Sequence, residues 1–205
     1  MARSRDQAGG FDAMMVALER RFFPTSRAWV CGRAEGRTLE VGIGTGLNLP
    51  HYPSGLNLVG VDPDVRMLDG ARRRAADLGH PVTLVEGDAM VLPFPDATFD
   101  SVVCTFVLCG VPDDRAAIGE MVRVLRPGGR LLLGDHVVAA AWPVRWLERV
   151  VEVVTVPMQG EHFTRRPLLH AQAMELEIVE TQRLTHGAIE HVHATRAAPV
   201  VGSSC

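Results

Sequence analysis

The sequence has little of what marks several protein classes. Its 205 residues include four cysteines, none in C-x-x-C spacing, so neither a structural zinc site nor a disulfide framework is predicted. The net charge is −3, and arginines cluster only at 72–74, where a helix would spread them over its surface. A nucleic-acid partner is therefore not expected. Cys104 and Cys109 lie in the most apolar segment and are predicted to be small buried hydrophobes.

Long hydrophobic runs are also missing. The longest uncharged apolar run, 101–111, is too short to span a bilayer. The first ten residues are charged and then glycine-rich, without the apolar segment of a signal peptide. We expect a soluble, cytoplasmic protein with no membrane-spanning helix, which leaves peripheral contact with lipid open. The sequence does not indicate an oligomeric state.

What the sequence does contain is the alternation of an α/β domain. With 47% apolar and 22% charged residues, the composition fits one globular domain over 1–205. Helical spacing of apolar residues predicts a helix over 11–32. Five short apolar runs are the predicted parallel strands: 38–42, 56–62, 82–88, 99–108 and 130–136. This order predicts a Rossmann-like sheet with helices on both faces and ligands at the carboxyl ends of its strands.

The boundaries of two helices are marked by their flanking residues. Asp64 is a plausible N-cap and Gly79 a plausible stop for a helix over 64–78. A second helix, over 113–125, is expected to stop at R-P-G-G, because Pro127 cannot continue it.

The last two apolar runs, 176–184 and 188–195, are joined by too few residues for a parallel crossover and must be antiparallel. The predicted sheet therefore has seven strands, mostly parallel, with the last antiparallel. We divide the domain into a helical cap (1–36), a cofactor-binding core (37–136) and an acceptor-side segment with the C-terminal hairpin (137–205).

The segment R-T-L-E-V-G-I-G-T-G-L-N, residues 37–48, carries the glycines that follow the first strand. A dinucleotide fingerprint G-x-G-x-x-G starting at Gly42 would require glycine at position 47, which is Leu47. The observed pattern is instead G-x-G-x-G, formed by Gly42, Gly44 and Gly46. An NAD-dependent oxidoreductase is therefore disfavoured.

S-adenosylmethionine fits these residues better than a dinucleotide does. The glycines allow close approach of its amino-acid end, and the carboxylate of Glu40 can help to hold the ammonium group. Asp62, at the end of the second strand, can accept hydrogen bonds from both ribose hydroxyls. Asp88, at the end of the third, can accept one from the adenine amino group.

Three further motifs occur in the same order as in a known family. E-G-D-A (86–89), L-P-F-P-D-A-T-F-D (92–100) and V-L-R-P-G-G (124–129) resemble motifs of the class I S-adenosylmethionine-dependent methyltransferases, and the resemblance covers about residues 37–136. It implies S-adenosylmethionine as cofactor, S-adenosylhomocysteine as product and no metal. The implied cofactor pocket consists of Glu40, Gly42, Gly44, Gly46, Asn48, Asp62, Pro63, Asp88, Ala89 and Thr105, although helix capping is an alternative role for Asn48.

A closer resemblance concerns the acceptor. G-L-N-L-P-H-Y-P, V-V-C-T-F-V-L-C-G-V and R-P-G-G-R-L-L-L-G-D-H-V are similar to segments of the methyltransferase-like thiol methyltransferases. The ubiquinone/menaquinone C-methyltransferases and phosphatidylethanolamine N-methyltransferases share the motifs less closely. The resemblance implies methyl transfer to a small, largely apolar acceptor, with a thiol favoured over a phospholipid amine or a quinone-like ring. A non-catalytic sensor or scaffold that binds S-adenosylmethionine is the alternative outside enzymology.

Candidate catalytic residues lie at the end of the fifth strand. Asp135 and His136 are placed to orient or deprotonate the acceptor, and their alternative role is to cap the strand or bond the backbone. His162 and Phe163 lie in a loop that could cover the acceptor, although an exposed loop explains them as well. His191 and His193 share one face of a strand, but no acid or cysteine completes a metal site.

Overall fold

The structure is a computed structural model that describes residues 24–137, 166–184 and 189–198. Over these ranges the helices are α1 (Ser26–Cys31), α2 (Val65–Leu78), α3 (Asp114–Val124) and α4 (Pro167–Ala173), with a 3-10 turn at Leu49–His51. The strands are β1 (Arg37–Val41), β2 (Asn57–Asp62), β3 (Val82–Glu86), β4 (Phe99–Thr105), β5 (Leu125–His136), β6 (Glu177–Leu184) and β7 (Ile189–Thr195). The predicted helix over 11–32 is described only from residue 24 onward.

The seven strands form one sheet in the order β3-β2-β1-β4-β5-β7-β6. The first five strands are parallel, and β7 runs antiparallel to both β5 and β6. The predicted sheet is confirmed, including its reversed last strand. The strand order changes direction between β1 and β4, so a crevice for a ligand opens at the carboxyl ends of these two strands.

Helix caps set the boundaries of α2 as predicted. The Asp64 side chain accepts a hydrogen bond from the backbone N–H of Arg66, and Gly79 ends the helix in the left-handed region at φ +63°. Both are common ways to satisfy the unpaired groups at helix ends. Because only two residues separate β2 from α2, the N-terminal turn of α2 lies at the edge of the sheet where the carboxyl ends of the parallel strands meet.

The R-P-G-G segment differs from its predicted role as the stop of a helix that reaches residue 125. Helix α3 ends at Val124, and β5 begins at once with Leu125, which pairs with Phe99. The ladder resumes at Ser101 opposite Arg130, so residues 126–129 bulge out of the sheet. Gly128 turns the chain at φ +80°, and the register between β4 and β5 shifts across this bulge.

The core has one layer on each face of the sheet. Helices α3 and α4 cover one face of the sheet. The core there consists of Phe99, Leu131 and Leu133 from the strands, Ile118 and Met121 from α3, and Leu108. Helices α1 and α2 cover the other face. The core there consists of Val103 and Leu132 from the strands, Val30, Leu68 and Ala71 from the two helices, and Leu49. Each of the larger buried side chains contributes about 1.5–3 kcal/mol of hydrophobic free energy, and together they fix the strand ends that form the crevice.

Candidate active site

Two adjoining cavities lie at the carboxyl ends of β1, β2 and β4. The larger has a volume of about 470 Å³ and extends from the glycine loop to the segment after β3. The smaller has a volume of about 130 Å³ and extends from the glycine loop to α1. Both cavities are lined by Gly42, Gly44, Met67, Phe106 and Val107. The pair therefore forms one bent crevice.

The glycine loop is shaped by three left-handed residues. Gly42, Gly44 and Gly46 have φ of +69°, +54° and +80°, a region that favours glycine. A Cβ atom on Gly42 would overlap the Val107 side chain, whereas a Cβ on Gly44 would meet no atom within 4 Å. Gly42 therefore lets Val107 pack directly against the glycine loop, and Gly44 leaves open space. Gly46 packs against Leu49 and helix α2 and lines neither cavity.

Asp62 is fixed at the end of β2 on the wall of the larger cavity. Its Oδ2 accepts a hydrogen bond from the backbone N–H of Gly44, and its Oδ1 accepts one from that of Asp64, both at 2.9 Å. Burial raises the pKa of Asp62, and the two backbone hydrogen bonds oppose that rise. The carboxylate is thus oriented before a ligand binds. Pro63 lines the cavity beside it.

The segment after β3 closes the other end of the larger cavity. The exposed Asp88 accepts a hydrogen bond from the backbone N–H of Met90 at 2.8 Å, which forms a turn. Ala89 is buried, and Gly87 completes this wall. The structure therefore brings the residues expected at the ribose and at the adenine into one cavity.

Glu40 lies deeper than the crevice and lines neither cavity. Its Oε1 accepts a hydrogen bond from Asn48 at 2.8 Å, and its Oε2 accepts one from Tyr52 at 2.9 Å. Burial raises the pKa of Glu40 to about 7, against the lowering effect of these two hydrogen bonds. Burial and the Glu40 charge likewise raise the pKa of Tyr52 well above its ordinary value.

Asn48 connects Glu40 to the crevice. Its amide nitrogen also donates to Thr105 Oγ1 at 2.8 Å, and its amide oxygen accepts from Arg27 Nη1 at 2.7 Å. It makes no side-chain capping bond to the 3-10 turn, so helix capping is not the role of this side chain. Thr105 lines the smaller cavity, as expected from the end of β4.

Arg27 is the site residue that sequence reasoning missed. It lies on α1, lines the smaller cavity and places its guanidinium carbon 5.2 Å from the centre of the Phe106 ring. No motif surrounds it, and its partner Asn48 is 21 positions away. Its neighbour Phe106 is also in the left-handed region, at φ +56°, which turns the chain after β4 toward the crevice.

Asp135 is almost fully buried and bonds the backbone after β4. Its Oδ2 accepts hydrogen bonds from the N–H groups of Val107 at 3.0 Å and Leu108 at 2.7 Å. This is the alternative role that the sequence left open for it, and Asp135 lines neither cavity. Its catalytic role stays a prediction. The side chain of His136 and the whole of His162 and Phe163 lie outside the described residues.

Three further buried titratable residues, His191, Cys104 and Cys109, lie in the core and line neither cavity. His191 is fully buried, its Nε2 lies 2.9 Å from Ser26 Oγ, and burial lowers its pKa to about 4. Burial raises the pKa of the Cys104 thiol well above its ordinary value, and Cys109 is also buried, as expected for small hydrophobes. Within the residues that the structure describes, no three histidines, cysteines or acids are grouped closely enough to hold a metal ion.

A broader depression, of about 760 Å³, lies at the other edge of the sheet. It is lined by Arg72, Ala75, Ala76, Gly79, His80, Pro81, Val82 and Leu84. It opens at the amino end of β3, away from the glycine loop, and the described residues of its lining include no acid, serine, threonine or cysteine. We therefore place the ligand site in the crevice. Within the described ranges, the helices are too short or too polar to cross a membrane.

Comparison with known proteins agrees with this geometry. The family model of the methyltransferase domain matches residues 39–133. A phosphatidylethanolamine N-methyltransferase of Cereibacter sphaeroides is 40% identical over 118 residues, 57% of this chain and 58% of the relative. A demethylmenaquinone methyltransferase of Thermus thermophilus is 42% identical over 104 residues, 49% of this chain and 47% of the relative.

Two further relatives cover more of the chain. A thiol S-methyltransferase of Homo sapiens is 30% identical over 161 residues, 76% of this chain and 66% of the relative. The crystal structure of an S-adenosylmethionine-dependent methyltransferase of Thermotoga maritima, described as a possible histamine N-methyltransferase, superposes with a TM-score of 0.67 at 25% identity, covering 90% of this chain and 95% of that one.

The chain thus spans about half to two thirds of the length of these curated relatives, 47% to 66%. The matched domain, residues 39–133, includes all the residues that line the two cavities except Arg27. With its β3-β2-β1-β4-β5-β7-β6 sheet and its glycine loop, the chain contains a methyltransferase domain over residues 39–133 and has the fold of the class I S-adenosylmethionine-dependent methyltransferases.

Proposed function

We propose that the protein transfers the methyl group of S-adenosylmethionine to a small, largely apolar acceptor, and that the preferred acceptor is a thiol. The proposal of methyl transfer from S-adenosylmethionine is supported by the residues in the wall of the larger cavity. This wall combines an oriented carboxylate at Asp62, a second carboxylate at Asp88 and a glycine, Gly44, that leaves room for a ligand.

The residues of the crevice fit the groups of S-adenosylmethionine. Asp62 is suited to accept hydrogen bonds from the ribose hydroxyls, because backbone N–H groups already hold both of its oxygens in place. Asp88 and Ala89 are suited to the adenine, and Phe106 and Val107 supply apolar surface between the two cavities. Thr105 and Gly44, which line the smaller cavity, are suited to contact the amino-acid end of S-adenosylmethionine.

The chemistry requires position more than acid–base catalysis. When bound, S-adenosylmethionine supplies an electrophilic methyl carbon; the acceptor lone pair forms the new bond in line as the methyl–sulfur bond breaks, and S-adenosylhomocysteine leaves with that electron pair. Holding the reactants in line lowers the barrier by up to about 7–11 kcal/mol. The chain contributes this through the crevice walls that Asp62, Gly42 and Thr105 set.

Two observations support a thiol. First, a thiol with a pKa of about 8.5 ionises near neutral pH with little help, whereas a carbon or phenol acceptor needs a tuned base. The lining of the smaller cavity contains no histidine or carboxylate among the described residues. Second, the match to the thiol S-methyltransferase extends over 161 residues of the chain, against 118 and 104 for the phospholipid and quinone enzymes.

Phospholipid N-methylation is the second candidate, because the phosphatidylethanolamine enzyme is more similar per aligned residue, at 40% against 30% identity. A quinone-like ring is the third, on the 42% identity to the demethylmenaquinone enzyme. A sensor that binds S-adenosylmethionine without turnover would share the same crevice.

The test is release of S-adenosylhomocysteine by the purified protein with three acceptors of one carbon skeleton: a small apolar thiol, its alcohol and its amine. We expect turnover with the thiol and at least tenfold less with the other two. Turnover with the amine alone, or with quinols or phosphatidylethanolamine vesicles alone, would reject the thiol. If all acceptors fail while S-adenosylhomocysteine binds, the protein acts as a sensor.

A further inference from the structure

Phe106 lies where the two cavities of the crevice meet. The residues that line both cavities are Gly42, Gly44, Met67, Phe106 and Val107, and none of them carries a charge. In the proposed placement, the ribose occupies the larger cavity and the amino-acid end occupies the smaller one. The sulfonium sulfur is bonded to both parts of S-adenosylmethionine, so its positive charge is expected at this junction. Phe106 supplies the aromatic side chain there.

The backbone of Phe106 adopts a conformation that is unfavourable for a bulky side chain. Its φ is +56°, in the left-handed region. Among the described residues, Ala97 and Glu175 are the other non-glycine residues with positive φ, and neither lines the crevice. Glycine would adopt this φ at little cost. Strained residues of this kind are concentrated at binding and catalytic sites, so the conformation indicates that the ring serves the ligand site.

Three consecutive backbone N–H groups hold this conformation. The N–H of Phe106 donates to the carbonyl oxygen of Gly134 at 2.8 Å. The N–H groups of Val107 and Leu108 donate to Asp135 Oδ2 at 3.0 and 2.7 Å. The segment after β4 is thus fixed to β5, and these bonds offset the strain at Phe106. A ring on a fixed backbone loses less conformational freedom when it binds a ligand.

The Phe106 ring is already in contact with one cation. The guanidinium carbon of Arg27 lies over the ring, 5.2 Å from its centre. The face of an aromatic ring carries a negative potential, which attracts arginine and also alkylated cations such as quaternary ammonium groups. A sulfonium with three carbon substituents is a cation of the same kind. The ring is therefore suited to it, whereas the neutral sulfur of S-adenosylhomocysteine offers no charge to attract.

We infer that the Phe106 ring binds the sulfonium group of S-adenosylmethionine and so makes the crevice favour the charged cofactor over its neutral product. This inference rests on the proposed function, since it assigns one contact at the junction of the same crevice. During transfer the methyl–sulfur bond breaks and its electron pair stays on sulfur, so the positive charge and its attraction to the ring are both lost. The ring therefore assists the replacement of S-adenosylhomocysteine by fresh S-adenosylmethionine.

The test compares two ligands that differ in the methyl group and the positive charge on sulfur. Calorimetric Kd values are measured for S-adenosylmethionine and S-adenosylhomocysteine without an acceptor, with the full-length wild type, Phe106→Leu, Phe106→Tyr and the control Phe94→Leu. Leucine keeps apolar surface but has no ring, whereas tyrosine keeps the ring. Phe94 matches Phe106 because it is also half-buried, and it packs edge-on against Phe99 and lines neither cavity.

We expect Phe106→Leu to weaken binding of S-adenosylmethionine by about 3- to 30-fold, the range of a cation on an aromatic ring. The same variant should bind S-adenosylhomocysteine within about twofold of the wild type, which also shows that it is folded. Phe106→Tyr should keep both Kd values within about twofold, and Phe94→Leu should leave their ratio unchanged. In steady-state assays of Phe106→Leu, the inhibition constant of S-adenosylhomocysteine should fall relative to the KM for S-adenosylmethionine by the same factor.

Three results would overturn the inference. Equal losses for both ligands in Phe106→Leu would assign the ring to a part that the two ligands share. Unchanged Kd values for both ligands would remove the contact. A loss in Phe106→Tyr as large as that in Phe106→Leu would make the fit of the side chain, rather than the ring, decisive. In each case, wild-type binding of both ligands leaves the proposed function intact, whereas a wild type that binds neither ligand would reject the proposed function, and this inference with it.

Discussion

Gly42 and Val107 pack against each other so closely that a Cβ atom on Gly42 would overlap the Val107 side chain. Gly42 follows β1 and Val107 follows β4, so the contact lies beyond the ends of the two strands between which the sheet changes direction. Val107 is kept in place by the hydrogen bond from its N–H to Asp135. Both residues line both cavities, so this contact contributes to the shape of the crevice.

Substitution of Gly42 by alanine should displace the Val107 side chain, which lines both cavities, and so narrow the crevice. We expect Gly42→Ala to weaken binding of S-adenosylhomocysteine at least 100-fold. The control is Gly55→Ala: Gly55 has φ of +84° against +69° for Gly42, so both variants incur backbone strain, but a Cβ on Gly55 meets no atom within 4 Å. Calorimetry separates the two effects. Equal losses of affinity in both variants would contradict a steric role for Gly42.

Asp62 should carry much of the affinity for the ribose. Asp62→Asn replaces one acceptor oxygen with a donor that faces a backbone N–H, either that of Gly44 or that of Asp64. We expect about a 10- to 100-fold weaker Kd for S-adenosylhomocysteine, from the loss of charge-assisted hydrogen bonds. Asp69→Asn, which changes an exposed ion pair with Arg72 on α2, is the control and should leave the Kd unchanged. Binding that survives Asp62→Asn would place the ribose elsewhere.

Glu40 should make the protein less stable as pH rises. Burial raises its pKa from 4.5 to about 7 in the folded state, so between these pH values the folded state holds a proton that the unfolded state has released. Its contribution is full below pH 4.5 and is lost as pH rises to about 7. Glu40→Gln cannot ionise, so it should be more stable than the wild type by up to roughly 3 kcal/mol above pH 7, and close to it at pH 4.5. Urea unfolding at several pH values measures this difference, and a constant difference would contradict it.

His191 should have the opposite dependence on pH. Burial and the Arg33 charge lower its pKa from 6.5 to about 4, so below pH 6.5 the unfolded state takes up a proton that the folded state does not. Its contribution is full above pH 6.5 and is lost as pH falls to about 4. His191→Gln loses the stacking on Trp29, at 4.9 Å between ring centres, and should be less stable at pH 7.5. The deficit should shrink toward pH 4.5 in the same unfolding series. A deficit that grows on acidification would show that His191 is charged in the folded protein.

Asp135 can be tested as a base and as a backbone anchor in one series. Asp135→Asn keeps an oxygen that can accept from the N–H groups of Val107 and Leu108, whereas Asp135→Ala leaves both N–H groups without it. We expect Asp135→Asn to keep kcat within about tenfold, and Asp135→Ala to lower the unfolding free energy by roughly 1–3 kcal/mol for each unpaired group. A kcat that falls more than 100-fold in Asp135→Asn at unchanged stability would show that Asp135 acts as a catalytic base.

Local sequence patterns were sufficient for the sheet and for many of the residues that line the crevice. The caps Asp64 and Gly79 and the glycines after β1 act on neighbouring residues, so their effect is visible in the sequence. The role of Asn48 was not decided there, because its partners Glu40, Thr105 and Arg27 lie 8, 57 and 21 positions away. Arg27 was missed for the same reason. A hydrogen-bond network that joins α1, β1 and β4 forms only when the sheet brings these elements together.

The R-P-G-G segment shows a second limit. The helix was expected to reach residue 125 and to stop at Pro127, but it ends at Val124, and the strand that begins at Leu125 is set by pairing with Phe99 on β4. Neither residue carries a local signal for that pairing. The bulge over 126–129 is therefore a consequence of tertiary structure.

The most direct test of the central claim is a calorimetric titration of the wild-type protein with S-adenosylhomocysteine and, separately, with NADH. We predict one S-adenosylhomocysteine bound per chain with a micromolar Kd, and no heat of binding with NADH. Saturable binding of NADH without binding of S-adenosylhomocysteine would contradict the assignment of the crevice, and with it the proposed methyl transfer.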